Sequence, residues 1–268
     1  MINIPAIIEW RKKVPWHTDE QVEQDLIICR ALVAIFSDEF LANELAFRGG
    51  TALHKLYLSP QPRYSEDIDL VQINAGPIKP IMQRLGEVLY FLPNKVTKVK
   101  KHNNTMVFRM ESEIPPVVPI RLKVEINCKE HFTELGLVKI PFEVNSSWFT
   151  GSCQITTYEL DELLGTKLRA LYQRKKGRDL FDMHKAMSHN INPDRIIQCY
   201  KRYMDFVVDA PPTYKQYIQN MEDKMNDPDF IGDIQGLLRA EEQFDKARAL
   251  EAYVKVKEIF IERLKKVM

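Results

Sequence analysis

Apolar residues recur at helical spacing from Thr18 to Phe36, in TDEQVEQDLIICRALVAIF, and Thr18 with Gln21 has the form of a capping box. Ser37 to Ala46 reads as a short second helix. The segment FRGGTALHKLY then places two glycines ahead of helix formers, which predicts a strand end, a tight turn and a helix start. Tyr64 to Ile73, YSEDIDLVQI, alternates as a strand does, and Pro77 to Leu92 returns to helical spacing. Lys95–Lys101, Thr105–Ser112 and Val117–Cys128 read as three further strands.

From Glu159 onward the pattern is helical almost throughout: ELDELLGTKLRALYQR, RDLFDMHKAM, PDRIIQCYKRYMDFVV and a final stretch from Glu241 to Lys266. Strands mixed with helices, followed by helices alone, predict an α+β chain. A mixed β-sheet domain flanked by helices occupies residues 1–155, and a helical domain occupies 156–268. No internal repeat or low-complexity tract interrupts this order.

Composition narrows the function classes only slightly. The chain has 268 residues, 45% of them hydrophobic and 28% charged, so a core can form without disulfide staples. Its formal net charge of +1 gives no global attraction to a polyanion; only local clusters can. Cys29, Cys128, Cys153 and Cys199 are widely spaced with no Cys-x-x-Cys pair, which argues against a zinc site and for a reducing compartment. The opening MINIPAIIEWRKKVPW lacks the layout of a signal peptide, and no apolar run approaches the ~20 residues of a membrane span. The expectation is a cytoplasmic protein with no membrane partner.

The sharpest local feature is Ser65-Glu66-Asp67-Ile68-Asp69-Leu70. Strand residues two apart share a face, so Asp67 and Asp69 project together while Ile68 and Leu70 face the core. Adjacent carboxylates repel, and a hard divalent cation such as Mg2+ or Mn2+ turns that cost into a site. A bare Asp-x-Asp fits an exposed strand edge as well. Upstream, Gly49-Gly50-Thr51 precedes a helix, where glycines permit close approach and helix amides favour an anion.

Taken together, Gly49-Gly50-Thr51-Ala52-Leu53 and Arg63-Tyr64-Ser65-Glu66-Asp67-Ile68-Asp69-Leu70 closely resemble the nucleotidyltransferases of the AbiEii/AbiGii toxin type, relatives of the DNA polymerase beta-like superfamily. Those proteins carry Gly-Gly-Thr-x-Leu, then Arg-[Tyr/Phe]-Ser-x-Asp-hydrophobic-Asp. The resemblance implies that Gly49, Gly50, Thr51 and Ser65 hold the phosphates of a nucleoside triphosphate and that Asp67 and Asp69 bind metal. It also implies a third carboxylate on a later strand. Glu125, in Leu122-Lys123-Val124-Glu125-Ile126-Asn127, meets that description as a metal ligand or as base for the acceptor hydroxyl; a surface Glu paired with Lys123 or Arg121 is the plain alternative.

A second matching block runs from Lys167 to Asp182, with Arg174, Arg178 and Asp179 between them. Lys167, Arg174 and Arg178 lie at i, i+7 and i+11, one face of a continuous helix unless Gly177 breaks it. By resemblance Lys167 clamps the triphosphate, Arg174 and Arg178 assist, and either Asp179 or Asp182 is the accompanying acid. His54, just past the glycine turn, is expected on the helix surface or in a polar cluster. The resemblance spans roughly residues 45–190.

Related toxins imply an RNA acceptor, the 3′ end of transfer RNA foremost, with a protein hydroxyl as the rival. They also imply a cognate antitoxin and a role in abortive infection as antiviral defence. Basic clusters at Lys95, Lys98, Lys100 and Lys101 and at Arg174–Arg178 suit a phosphate backbone. A non-catalytic binding module and a metal-dependent nuclease are the rival classes. The glycine turn and Lys167 suit a triphosphate better than a scissile backbone.

Overall fold

The computed structural model describes residues 2–14 and 16–265. Contacts divide the chain into two compact units, Met1–Thr133 with Leu137–Tyr158, and Glu134–Gly136 with Glu159–Met268. In the first unit the helices are α1 (Ile4–Arg11), α2 (Asp19–Phe36), α3 (Glu39–Glu44), α4 (Gly49–Leu56) and α5 (Ile78–Val88). Its strands are β1 (Leu45–Arg48), β2 (Asp67–Gln72), β3 (Val96–Lys98), β4 (Asn103–Glu111), β5 (Pro119–Asn127), β6 (Leu137–Asn145) and β7 (Thr150–Tyr158). The second unit contains α6 (Leu160–Gln173), α7 (Gly177–Ala186), α8 (Pro193–Val207), α9 (Tyr214–Met225), α10 (Pro228–Gly232) and α11 (Lys246–Val256). The final predicted helix runs past this segment to Lys266, which lies outside the described residues.

The strands form one mixed sheet in the order β3-β4-β5-β2-β1-β7-β6. β2 pairs with β5 and β1 with β7 in parallel; the other pairs are antiparallel. Alternation decides the faces. Ile68 and Leu70 of β2, Met106 and Phe108 of β4, and Leu122, Val124 and Ile126 of β5 are all buried. α2 is the central helix of this unit, with apolar residues buried from Val22 to Phe36. Each fully buried Leu or Ile in this set contributes roughly 1.5–3 kcal/mol.

Several local expectations change. Thr18 is the N-cap of α2 but makes no side-chain cap bond, so the capping box does not form; its hydroxyl is buried without a partner. β6 and β7 carried no strand signal, because β6 is a half-exposed edge strand interrupted by Pro141, and a proline in mid-strand suits an edge position. The helix through Lys167 is not continuous to Arg178. α6 stops at Gln173, Arg174 is extended, and α7 restarts at Gly177. A Cβ at Gly177 would lie 2.0 Å from the carbonyl oxygen of Phe230, so the restart depends on bare backbone.

Two buried polar nodes brace the units. In the first, Lys55 of α4 pairs with Asp25 of α2 at 2.9 Å, and Asp25 also accepts the Trp10 indole N–H from α1 at 2.9 Å. Burial disfavours the Lys55 charge, but Asp25 outweighs it and holds the ammonium above its ordinary value. In the second, the Glu162 carboxylate of α6 accepts the backbone N–H groups of Glu134 and Leu135 and the hydroxyl of Tyr203 from α8. No helix among the described residues is long and apolar enough to cross a membrane.

Lys55→Met leaves Asp25 buried without its cation. Such a loss costs about 3–5 kcal/mol, and urea unfolding followed by tryptophan fluorescence should show a correspondingly lower midpoint. A loss below ~1 kcal/mol would mean that the Trp10 bond alone satisfies Asp25.

Candidate active site

β1 runs directly into α4: Arg48 ends the strand and is the helix N-cap, and Gly49 is the first helical residue. Gly49 has φ +80°, and a Cβ there would lie 2.4 Å from Asp69 Oδ2. The glycine therefore lets the Asp69 carboxylate lie against the start of α4. At Gly50 a Cβ would meet the buried guanidinium of Arg63 at 2.7 Å. No side-chain cap bond covers the first turn of α4, so its N-terminal amides form an uncapped positive end.

Thr51 is turned inward. Its hydroxyl lies 2.5 Å from the Asp67 carbonyl, to which it donates, and 2.8 Å from Ser65 Oγ. With that proton committed, Thr51 accepts from Ser65, and the chain Ser65 to Thr51 to Asp67 ties the start of β2 to α4. Thr51 thus serves the backbone directly, and Ser65 serves it through Thr51. His54 is buried, not on the helix surface, because its position on α4 faces inward with Ala52 and Leu53.

The carboxylates gather on the opposite face of the sheet from Ile68 and Leu70. Parallel pairing of β2 and β5 sets Asp67 beside Lys123 and Asp69 beside Glu125. Lys123 Nζ lies 3.0 Å from Asp67 Oδ2 and 3.3 Å from Glu125 Oε2. Asn103 of β4 donates to Glu125 Oε1 at 2.7 Å. The other oxygen of Asp67, Oδ1, is buried and has no hydrogen-bond partner. Burial, then the neighbouring Asp67 charge, raises the Asp69 carboxyl above its ordinary value, although Lys123 and Arg48 oppose the shift. Arg48 itself pairs with Glu130.

The donor set suits a hard divalent cation, since it offers carboxylate oxygens and one of them is buried without a partner. Among the described residues no three His, Cys, Asp or Glu side chains already converge as a ligand set. Instead an ammonium lies between Asp67 and Glu125. Arg48 and Asn103 escaped the sequence reading because strand register brings them here, and Glu130 because it arrives on the loop after β5; no local motif marks any of them. Lys123 carried a signal in its alternation with Glu125.

The second unit holds the other motif. Lys167 is almost fully buried, 3.1 Å from Asp179 Oδ1 and 2.9 Å from Asp182 Oδ2, so both candidate acids grip the lysine. Arg174 adds a two-point contact to Asp179, at 2.6 and 2.7 Å. Burial pushes the Asp179 carboxyl up, but Lys167 and Arg174 prevail and hold it below its ordinary value. Arg178 stands apart from this cluster and approaches Asp233 at 3.6 Å, since the break after α6 turns it away from the Lys167 face.

One unit thus carries a glycine turn at a helix start, an acidic pair on β2 and a third acid on the neighbouring β5. The family described as "Nucleotidyl transferase AbiEii toxin, Type IV TA system" matches residues 30–256, and the chain belongs to it. That family is one of nucleotidyltransferase toxins whose partner is a cognate antitoxin. Among solved structures, MenT4, a nucleotidyltransferase toxin from Mycobacterium tuberculosis H37Rv, is similar at 16% identity and a TM-score of 0.65, over 99% of this chain and 94% of that one. JHP933 from Helicobacter pylori is similar at 19% identity and a TM-score of 0.54, over 93% and 95%. These likenesses show a shared fold. A comparison with curated proteins gives no match.

Two outcomes test the geometry. Gly49→Ala strains a left-handed residue and pushes a methyl into Asp69, whereas Gly136→Ala, at φ +93° with nothing within 4 Å, meets the backbone cost alone. That backbone cost is about 1–2 kcal/mol, so Gly49→Ala should lose more in urea unfolding than Gly136→Ala; equal losses would show that Asp69 yields freely. The second outcome concerns pH. A folded Asp69 value raised above the unfolded ~3.9 means stability present below that value is lost as pH rises through the raised one. In chelator-treated protein, Asp69→Asn should therefore gain in melting temperature over wild type as pH rises from about 4 through the raised Asp69 value. A constant difference across that range contradicts the assignment.

Proposed function

We propose that this chain transfers a nucleotide from a nucleoside triphosphate to a hydroxyl of RNA, with the 3′ end of transfer RNA as the preferred acceptor. The observation that carries the reading is Asp67 Oδ1, a buried and unpartnered carboxylate oxygen beside Asp69, which lies against the uncapped start of α4. A buried polar atom without a protein partner calls for an explanation, and a bound cation supplies one that the surrounding carboxylates also suit.

In this reading Asp67, Asp69 and Glu125 hold Mg2+ or Mn2+. The ion supplies charge neutralisation for the phosphates and lowers the cost of forming the attacking alkoxide. The first-turn amides of Gly49, Gly50 and Thr51 receive phosphate oxygens, with Ser65 supporting the turn. Lys167, oriented by Asp179 and Asp182 and backed by Arg174, clamps the triphosphate as a compact charge. Arg178 has its own partner in Asp233 and plays a lesser part. The acceptor oxygen forms a bond to the α-phosphorus, the bond from that phosphorus to the bridging oxygen breaks, and pyrophosphate leaves. The hydroxyl proton passes to a carboxylate, for which Glu125 is placed. Residues 1–155 then form the catalytic domain and 156–268 the domain that contributes Lys167.

RNA as acceptor is supported by Lys95, Lys98, Lys100 and Lys101, all exposed along and beside edge strand β3, two strands from Glu125. A cytoplasmic toxin restrained by its antitoxin, acting in abortive infection, fits this chemistry.

Purified protein, each labelled nucleoside triphosphate, Mg2+ or Mn2+, and total RNA mixed with total protein should yield labelled small RNA. Asp67→Asn and Lys167→Ala should each lower the rate by at least about 10²-fold and relieve growth arrest. Label on protein alone would move the acceptor to a protein hydroxyl, shortened RNA would favour a nuclease, and full activity of Asp67→Asn would refute the site.

A further inference from the structure

Lys123 stands out among charged groups of the first unit because it lies inside the acidic cluster instead of around it. Its ammonium is 3.0 Å from Asp67 and 3.3 Å from Glu125, and it faces Asp69 as well. Glu125 is further held by Asn103. Three carboxylates on neighbouring strands repel each other, and Lys123 is the cation within bonding distance of two of them. Its side chain remains about a quarter accessible, with a flexible stem on the open face of the sheet. Such a group can leave without disturbing the core. A divalent ion shared between Asp67 and Glu125 would take the place that Lys123 Nζ holds now, 3.0 Å from Asp67 Oδ2 and 3.3 Å from Glu125 Oε2.

We propose that Lys123 is a built-in counter-ion that fills the cation position between Asp67 and Glu125, and that a divalent ion must displace it to bind. The proposal rests on the metal-binding reading of Asp67, Asp69 and Glu125 given above. It assigns Lys123 a positioning role: it keeps the acidic strand pair stable without metal and suppresses binding of metal that arrives without nucleotide. The ion is then best admitted together with a triphosphate, whose own charge offsets the displaced ammonium's loss.

The test measures Mn2+ binding to the full chain without nucleotide, by the electron paramagnetic resonance signal of free Mn2+. Lys123→Met and Lys123→Gln should each bind Mn2+ at least about tenfold more tightly than wild type, a gain expected when a competing unit charge leaves a partly buried site. Both should melt lower than wild type without metal and show a larger Mn2+-induced rise. In wild type, saturating Mn2+ should increase acetylation of Lys123 by an amine-reactive ester, read by mass spectrometry, which needs no variant to fold. Unchanged or weaker Mn2+ binding in the folded variants, or unchanged Lys123 acetylation in Mn2+-saturated wild type, overturns the proposal while leaving the metal site intact. No Mn2+ binding by wild type or either variant, with or without a nonhydrolysable triphosphate, would instead overturn the metal-binding reading, and this proposal with it.

Discussion

Placing three carboxylates on one face of the sheet, close enough for each to feel the others' charge, is the constraint around which the first unit is organised. Asp67 and Asp69 share a face because strand side chains alternate, and Glu125 joins them because β2 and β5 run parallel in a fixed register. The arrangement is unfavourable by itself, as the raised Asp69 carboxyl shows. It persists because the opposite face of the same strands is buried: Ile68, Leu70, Val124 and Ile126 cannot shift by one residue without exposing the core. Hydrophobic burial on one side thus holds electrostatic stress on the other.

The surrounding groups manage that stress. Lys123 bridges two of the acids, Asn103 orients one, and Arg48 lends partial positive charge while its own pair with Glu130 keeps it in place. The glycine at position 49 is part of the same arrangement, since any side chain there would evict the Asp69 carboxylate. Thr51 and Ser65 fix the distance between the helix start and the acidic strand through hydrogen bonds that run along the chain itself. In the second unit the polarity is reversed: a buried lysine is held by two buried aspartates, with an arginine completing the charge balance.

Local pattern made much of this visible from the residues alone. Period-two alternation placed Asp67, Asp69 and Glu125 on one kind of face, period 3.6 outlined α2 and the helical second unit, and the paired motif blocks pointed to the toxin nucleotidyltransferases. Those signals are carried by neighbours in the chain, so they need no tertiary context. The tertiary structure alone decided the rest. It paired Lys123 with Asp67 across two strands, brought Asn103 and Arg48 to the acids, and buried His54. It broke the helix after Gln173 so that Lys167 and Arg178 part company, and it made strands of the Pro141-interrupted segment and its partner. The physical reason is common to all of these: register, burial and close backbone approach arise between segments distant in sequence, and no periodicity within either segment records them.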